Sequence, residues 1–353
     1  MKITNIEYQE YELPLNSPVK TSRETLHSRS GYLVKVYTGD GSYGVGDIAP
    51  IPAFGAEDFE SVLGKLEEIK ANHSKLSAIE ATPRSIYNGL KFLSDFPATR
   101  AGFEQACIAL ASKIQGKTIP EFLMFDCGKT ISVNGLISMM SPADTQIKAQ
   151  ELLVQGYQAI KLKIGRTDFE EDICCIEAVR KESDTVALRL DANGNWNIEQ
   201  ALDYVKELEP YTIQYVEEPV TVNDLHLLAQ LRRESPVKIA LDESAQSFDD
   251  VVRIIHSNAA DVVIVKPVVC GGILSSIRIM HTALEYTMEV IVTSAFESTI
   301  GRSAAVLLAS TRSTSIHGLD TARYFVNDVT DDPFPVKNGV IKIDDPAQFS
   351  FDI

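Results

Sequence analysis

The chain has 353 residues, of which 44% are hydrophobic and 23% charged, a composition typical of a globular protein with a large core. This composition excludes collagen, coiled coils and a disordered acidic tail. Acidic residues number 49 and basic residues 33, so the formal net charge is −16, which would repel the phosphate backbone of a nucleic acid. We therefore expect no nucleic-acid partner. A small anionic carboxylate substrate would bind only where a metal ion or lysines reverse the local sign.

The start of the chain, MKITNIEYQEYELP, is polar and acidic and lacks the apolar stretch of a signal peptide. No apolar run approaches the length that spans a membrane. The five cysteines are odd in number and contain no CxxC pair, which favours reduced thiols. We expect a cytoplasmic protein with no membrane partner. The sequence leaves open whether it forms a homo-oligomer.

Residues 1–120 predict an α+β capping domain. Two segments alternate as strands do, and the Gly39-Asp40-Gly41 turn leads into a third strand. Helical periodicity follows in three segments. The tail has the hairpin signal Asn338-Gly339 and is expected to pair back onto this domain, so that residues 330–353 complete it. The predicted strands are Ile3–Leu13, Tyr32–Thr38 and Ser42–Ile48, and the predicted helices are Ala56–Ala71, Pro83–Phe92 and Ala98–Ile114.

Residues 121–329 predict a barrel, because short β-branched runs alternate there with helical stretches. Eight strands with seven intervening helices are the sequence pattern of an α/β fold, the (β/α)7β modified TIM barrel. An open doubly wound sheet would show the same alternation, but no GxGxxG motif opens any helix. The predicted strands are Ile131–Val133, Ala159–Ile164, Val186–Asp191, Ile213–Glu217, Lys238–Leu241, Asp261–Val265, Glu289–Val292 and Ser315–Leu319.

Charged side chains recur at the C-terminal ends of five successive predicted strands, 24 to 28 residues apart, which is about one βα unit. A single strand-end Asp is most often a helix cap. Five elements in this order favour a site instead, because the C-terminal ends of barrel strands meet at one mouth. The set is Lys161 and Lys163, then Asp191 and Asn193, Glu217, Asp242, and Lys266.

The three carboxylates of this set make the kind of oxygen site that Mg²⁺ prefers, with Mn²⁺ as a substitute. No HxH or HExxH pair in the sequence favours zinc. A lysine with an ordinary pKa of about 10.4 is a poor base at neutral pH, but a nearby cation lowers that pKa. The pattern therefore predicts that a lysine removes the proton α to a metal-bound carboxylate.

The order KxK, DxN, EEP, DES and KP…GG resembles the enolase superfamily, in its muconate-lactonizing-enzyme subgroup, over nearly the whole chain. The resemblance implies a capping domain over a (β/α)7β barrel, one Mg²⁺, and proton removal to give an enediolate. It also implies residue roles. Asp191, Glu217 and Asp242 would be the metal ligands, Lys163 the acid/base, Lys161 its electrostatic neighbour, and Lys266 the lysine on the opposite face.

Within this subgroup, residues 28–31 (SRSG) and 44–55 (GVGDIAPIPAFG) resemble the cap of o-succinylbenzoate synthases, although Asp47 stands where that family usually has Glu. Residues 188–193, 294–298 and 318–321 are also similar to that family. The resemblance implies syn-dehydration of 2-succinyl-6-hydroxy-2,4-cyclohexadiene-1-carboxylate to o-succinylbenzoate, a step of menaquinone biosynthesis. The implied substrate-binding residues are Asn193, Ser294, Asp320, Arg29 and Phe54.

The same subgroup includes dipeptide epimerases and N-succinylamino acid racemases, which stay open as alternatives. Either would use Lys163 and Lys266 as opposed acid/base groups. Dipeptide epimerases typically end strand eight with Asp-x-Asp, which holds the substrate ammonium, whereas this chain has Gly318-Leu319-Asp320. The missing carboxylate argues against an amino-dipeptide substrate. A barrel that only binds an anion or a partner protein is disfavoured by the intact set of lysines and carboxylates.

Overall fold

The computed structural model describes residues 1–20, 25–52, 57–221 and 224–351. The N-terminal part is an antiparallel sheet of three strands in the order β1-β2-β3, followed by helices, as the α+β prediction requires. In it, α1 begins after Asp58, whose side chain accepts a hydrogen bond from the backbone of Ser61 in a capping box. The elements are β1 (Ile3–Lys20), β2 (Thr25–Thr38), β3 (Tyr43–Ile48), α1 (Phe59–Ala71), α2 (Ser74–Ser77), α3 (Pro83–Gly89), α4 (Pro97–Ile114) and α5 (Ile119–Leu123).

The cap sheet packs closely on α4, because glycines face each other across the contact. A Cβ placed on Gly46 would lie 1.9 Å from the carbonyl oxygen of Gly102 in α4, and one on Gly102 would lie 2.3 Å from the Ile48 side chain. No side chain fits between the two backbones at these positions. The glycines after residue 43 therefore shape the cap itself.

The barrel is built on a parallel sheet of seven strands in the order β11-β10-β9-β8-β7-β6-β5. Its strands after the first are β6 (Ala159–Lys163), β7 (Ala187–Asp191), β8 (Ile213–Glu217), β9 (Ile239–Leu241), β10 (Val262–Val265) and β11 (Glu289–Val292). The helices between and after them are α6 (Pro142–Val154), α7 (Phe169–Glu182), α8 (Ile198–Glu207), α9 (Leu225–Glu234), α10 (Phe248–Ser257), α11 (Pro267–Cys270), α12 (Ile273–Glu285) and α13 (Thr299–Ser310).

The sheet closes through the first and last strands of the barrel. The predicted strand Ile131–Val133 is β4 (Thr130–Val133), which pairs in parallel with β12 (Ile316–His317). It is followed by a short strand that the sequence did not predict, β5 (Gly135–Ile137). On the other side of β12, the Gly318 amide donates to the Val292 carbonyl at the end of β11 (2.9 Å). Each predicted strand overlaps a strand of the structure, and the (β/α)7β fold class is confirmed.

The tail forms the predicted hairpin, β13 (Val336–Lys337) and β14 (Val340–Lys342), around Asn338 and Gly339, both of which have positive φ. The expectation that it pairs onto the cap is wrong, because β14 pairs with β4 of the barrel. The reason is that β5, rather than β4, pairs with β6, so the edge of β4 would otherwise leave backbone groups without partners. The domain boundaries at residues 120 and 330 stay a prediction.

Below its C-terminal mouth the barrel contains an apolar cluster and the buried Arg189, whose guanidinium lies over the Tyr215 ring. An inner cluster is formed by Tyr215, Ala240, Val262, Ile264 and Ile291. Within the described residues, no helix is long and apolar enough to cross a bilayer.

Candidate active site

Lys161, Lys163 and Asp191 meet at the ends of neighbouring strands. The register of β6 and β7 places Lys163 beside Asp191, and period-two alternation puts Lys161 on the same side of β6. Both ammonium groups contact Asp191 Oδ2, Lys161 at 2.8 Å and Lys163 at 2.7 Å. Burial by itself would raise the pKa of Asp191, but the two lysines outweigh it and hold that pKa well below its usual range. Asp191 is therefore ionised, and it orients both amines.

Glu217 lies beside Asp191 on the next strand and is fully buried. Its Oε1 accepts from Lys161 at 2.7 Å, while its Oε2 is buried and has no hydrogen-bond partner. Burial, followed by the charge of Asp191, raises the pKa of Glu217 to about 8. This carboxylate therefore has less positive charge around it than it needs to ionise.

Lys266 lies across the mouth from Lys163. Its strand, β10, is four strands away from β6 in a barrel of eight, so the two lysines approach the mouth from opposite sides. Lys266 forms an ion pair with Asp242, the residue that follows β9. Burial lowers the pKa of Lys266, but Asp242 and then Glu243 outweigh it and raise that pKa. Lys266 is therefore a fixed cation at neutral pH.

The three predicted metal ligands follow consecutive strands and supply only carboxylate oxygens, the donors that Mg²⁺ prefers. The unpartnered Oε2 of Glu217 is an oxygen that a cation would satisfy. As they stand, however, no three Asp, Glu, His or Cys side chains in the described ranges are spaced to hold a metal ion. Instead, Lys161 forms an ion pair with Glu217, and Lys266 forms one with Asp242. The residues fit a divalent cation in donor chemistry, provided that these ammonium groups move aside.

A cavity lies over these groups, between the barrel mouth and the cap. Its floor is formed by the lysines and carboxylates, and its upper wall is apolar. The apolar side chains come from both parts of the chain: Val19, Leu26 and Ile51 from the cap, Leu136 from β5, and Ala295, Phe296 and Tyr324 from the segments after β11 and β12. The cavity therefore offers a charged end and an apolar end to one small ligand.

Four of the five predicted substrate-binding residues line this cavity, namely Asn193, Ser294, Asp320 and Arg29. Asn193 Oδ1 accepts from Lys163 at 2.7 Å, which helps to orient that amine. The Ser294 hydroxyl is 2.8 Å from that of Thr321, within the barrel wall. Phe54 lies outside the described residues.

Arg29 is buried, and its Nη2 donates to the Ala49 carbonyl at 2.9 Å. Arg29 therefore holds the backbone that leads into residues 50–52, in addition to lining the cavity.

Sequence reasoning missed several residues of the site. Glu243 lines the cavity and accepts from Asn193 Nδ2 at 2.9 Å. Its place in the DES motif, next to Asp242, was a signal that could have identified it. Asn134 and Ser138 line the wall on either side of β5, a strand that the sequence did not predict. Val19 and Leu26 reach the cavity on the long hairpin of β1 and β2, and no local signal predicted that reach.

Two family models match the chain. The model described as "Enolase C-terminal domain-like" matches residues 144–347, more than half of the chain. The chain belongs to the enolase superfamily. The model described as "MenC, N-terminal domain" matches residues 3–92, most of the cap. The predicted resemblance is confirmed, and the chain is an enolase-superfamily enzyme.

Individual relatives carry different names at similar identity. The o-succinylbenzoate synthase of Bacillus subtilis is 26% identical over 97% of this chain and 92% of its own length. The N-succinyl-L-Arg/Lys racemase of Bacillus cereus is 27% identical over 88% of this chain and 84% of its own length. A solved dipeptide epimerase from Cytophaga hutchinsonii, complexed with Mg and a dipeptide, matches with a TM-score of 0.86 and 26% identity, covering 97% of this chain and 94% of that one. Identity alone does not choose among the three reactions.

Proposed function

We propose that this enzyme is an o-succinylbenzoate synthase that dehydrates 2-succinyl-6-hydroxy-2,4-cyclohexadiene-1-carboxylate. The observation that carries the proposal is the state of Asp320. Its Oδ2 accepts from Arg323 at 3.1 Å and from the Tyr157 hydroxyl, so this carboxylate already has a cationic partner. Gly318 supplies no second carboxylate at this strand end. A substrate ammonium would find a single carboxylate here, one that is already paired with Arg323, whereas a substrate without an amino group needs none.

The cap gives independent support. Residues 3–92 match the MenC N-terminal domain model, and this region supplies Val19, Leu26, Arg29 and Ile51 to the cavity. In this architecture, loops over the mouth shape the substrate pocket, while strand ends carry the chemistry. A cap of the synthase type therefore favours the synthase substrate.

In the proposed mechanism, Lys163 takes the α-proton onto Nζ, where Asp191 and Asn193 orient it. The electron pair left by that proton forms a new ring double bond as the bond from the β-carbon to the hydroxyl breaks. The same Lys163 returns its proton to the departing hydroxide, which leaves as water. One base thus serves both proton transfers on one face of the ring. A divalent cation held by Asp191, Glu217 and Asp242 would offset the negative charge that develops on the substrate carboxylate.

Lys266 and Lys161 would act through their charge. Lys266 lies on the opposite side of the mouth and stays protonated beside Asp242. It would face the developing negative charge without exchanging a proton. Burial lowers the pKa of Lys161, but Asp191 and Glu217 outweigh it and raise that pKa well above its ordinary value. Lys161 would therefore remain a cation next to the base.

The second candidate is a racemase of N-succinylamino acids, or an epimerase of dipeptides. The opposed positions of Lys163 and Lys266 favour this reading, since each lysine could serve one face of an α-carbon. A succinylated amino acid also carries no ammonium, so the paired Asp320 does not argue against it.

The experiment offers both substrate types to the purified enzyme with Mg²⁺. We expect the ultraviolet absorbance of o-succinylbenzoate to grow when the cyclohexadiene substrate is supplied. In parallel, N-succinyl amino acids and dipeptides are incubated in D₂O, and α-proton exchange is followed by NMR. Exchange without any dehydration would overturn the synthase proposal and favour the racemase.

A further inference from the structure

A buried carboxylate of the cap, Asp47, binds the barrel loop that follows β11. We define this loop, the β11 loop, as residues 293–298. Asp47 Oδ2 accepts from the backbone amide of Ser298 at 3.0 Å and from its hydroxyl at 2.7 Å. The other oxygen, Oδ1, accepts from the Tyr11 hydroxyl at 2.8 Å. Three hydrogen bonds thus join β1, β3 and the β11 loop at one side chain.

Two glycines make room for this contact. A Cβ on Gly31 would lie 2.4 Å from the Tyr11 hydroxyl, and a Cβ on Gly301 would lie 2.5 Å from Asp47 Oδ2. Both distances are too short for real atoms. Any side chain at Gly31 would displace Tyr11, and any side chain at Gly301 would push α13 away from the cap.

Asp47 is charged at neutral pH, so its hydrogen bonds are strong. Burial raises the pKa of Asp47 to about 6, while the hydrogen bonds from Ser298 and Tyr11 lower it. Ser298 directly precedes α13, so the carboxylate also lies at the N-terminus of that helix. Charge-assisted hydrogen bonds in a buried place are about twice as strong as neutral ones.

The β11 loop held by Asp47 faces the active-site cavity. Its residues Ser294, Ala295 and Phe296 line that cavity. Phe296 has a left-handed backbone, with φ of 60°, which costs energy for a residue with a β-carbon and persists only when its surroundings enforce it. Two contacts hold the loop on either side of Phe296. Asp47 binds Ser298, two residues later, and Glu297 accepts from the Ala295 amide at 2.5 Å.

Phe296 connects the loop to the cap hairpin formed by β1 and β2. Its ring contacts Tyr324 (centroids 5.7 Å apart) and packs in one apolar cluster with Leu26 and Val19 of the hairpin. Val19 and Leu26 also line the cavity. Displacing the β11 loop would therefore displace the apolar wall that covers the lysines.

We propose that Asp47 is a positioning residue: by holding Ser298 it keeps Phe296 and the cap hairpin over the cavity, and so it sets the affinity for substrate. It touches none of the catalytic lysines or carboxylates, and the chemical step does not use it. The proposal goes beyond the proposed function, since a racemase with the same cavity would need the same wall.

The chain offers a matched control in Asp328, a second carboxylate at the N-terminus of α13. Asp328 accepts from the Thr299 amide at 3.0 Å and from its hydroxyl at 2.7 Å. These bonds are of the same type as those of Asp47, on the neighbouring residue. Asp328 lies after the barrel strands, however, and its hydrogen bonds among the described residues do not reach the cap. The segment just before it pairs with β1 through its backbone, where Val326 donates to Pro14 at 2.9 Å, but that bond does not use the Asp328 side chain. Removing Asp328 therefore tests helix capping while the contact between Asp47 and Ser298 stays in place.

The experiment compares Asp47→Ala, the milder Asp47→Asn, and Asp328→Ala in the full chain. We expect Asp47→Ala to raise KM about tenfold, the factor that corresponds to 1.4 kcal/mol, with kcat within about threefold of wild type. Asp47→Asn should move KM in the same direction by less. Asp328→Ala should lower Tm but leave KM within about twofold of wild type.

Hydrogen–deuterium exchange provides a measurement that needs no substrate. We expect Asp47→Ala to speed exchange in residues 25–38 and in the β11 loop, whereas Asp328→Ala should leave residues 25–38 unchanged. Equal effects of the two alanine variants on KM and on exchange would show that Asp47 only caps a helix. A loss in kcat with KM unchanged would also overturn the proposal. If dehydration itself is absent, the proposed function fails, and the exchange measurement still decides this proposal.

Discussion

Replacing each of the two opposed lysines by arginine separates a base from a fixed cation. Arginine keeps a positive charge but does not lose its proton at neutral pH. Lys163 is held by Asp191 and Asn193 at 2.7 Å each, and the proposed mechanism requires it to take and return a proton. Lys266 is an ion-pair partner of Asp242 and is required only to stay charged.

The expected magnitudes follow from these roles. Loss of a general base costs about 10²- to 10⁴-fold in rate, so Lys163→Arg should fall by at least that much. Removing a charge partner of the developing anion costs about 10²- to 10³-fold. Lys266→Arg keeps that charge, and only its shape and donor geometry change, so we expect a loss of about 10- to 100-fold. Lys266→Ala should lose more than Lys266→Arg, because it removes the positive charge that faces the developing anion altogether.

The assay measures kcat for o-succinylbenzoate formation, with circular dichroism to confirm that each variant is folded. The control is racemisation of an N-succinyl amino acid, in which both lysines must exchange protons. Dehydration that is abolished equally by Lys163→Arg and Lys266→Arg would refute the one-base mechanism.

Three further predictions concern the metal site and the cap. EDTA should abolish turnover, and Mg²⁺ or Mn²⁺ should restore it. Asp242→Asn should be inactive yet folded. Full turnover in metal-free buffer would contradict a role for the metal. Because the pKa of Glu217 is raised to about 8, the folded state binds this proton more tightly than the unfolded state does. The stability that the bound proton contributes is complete below the ordinary carboxyl pKa and is lost as the pH rises through about 8. The Tm of the metal-free enzyme should therefore fall from pH 5 to pH 8 more than that of Glu217→Gln, and parallel curves would contradict the assignment. Gly46→Ala should destabilise the chain by about 1–3 kcal/mol, because its Cβ would meet the Gly102 carbonyl, whereas Gly64→Ala in α1 has open space and should be neutral or stabilising in urea denaturation.

The sequence by itself was enough to predict the barrel and the side chains that meet at its mouth. Each βα unit places one strand end at the same mouth, so the 24- to 28-residue spacing from Lys163 to Lys266 was enough to predict that these side chains meet. Side-chain alternation was enough to place Lys161 beside Lys163. Periodicity of this kind is local, and local patterns are what a sequence records directly.

Only the tertiary structure decided the features that join distant segments. Strand β4 pairs with β14, more than 200 residues later, because β5 takes its expected place beside β6. Asp320 accepts a hydrogen bond from Tyr157, 163 residues earlier, as well as from the nearby Arg323. These partners compete with any substrate group that would bind the same carboxylate. Such pairings arise from packing between elements, where backbone groups and buried charges must find partners whatever their distance along the chain. The same physical reason placed Asp47 of the cap against Ser298, a contact that no motif predicts.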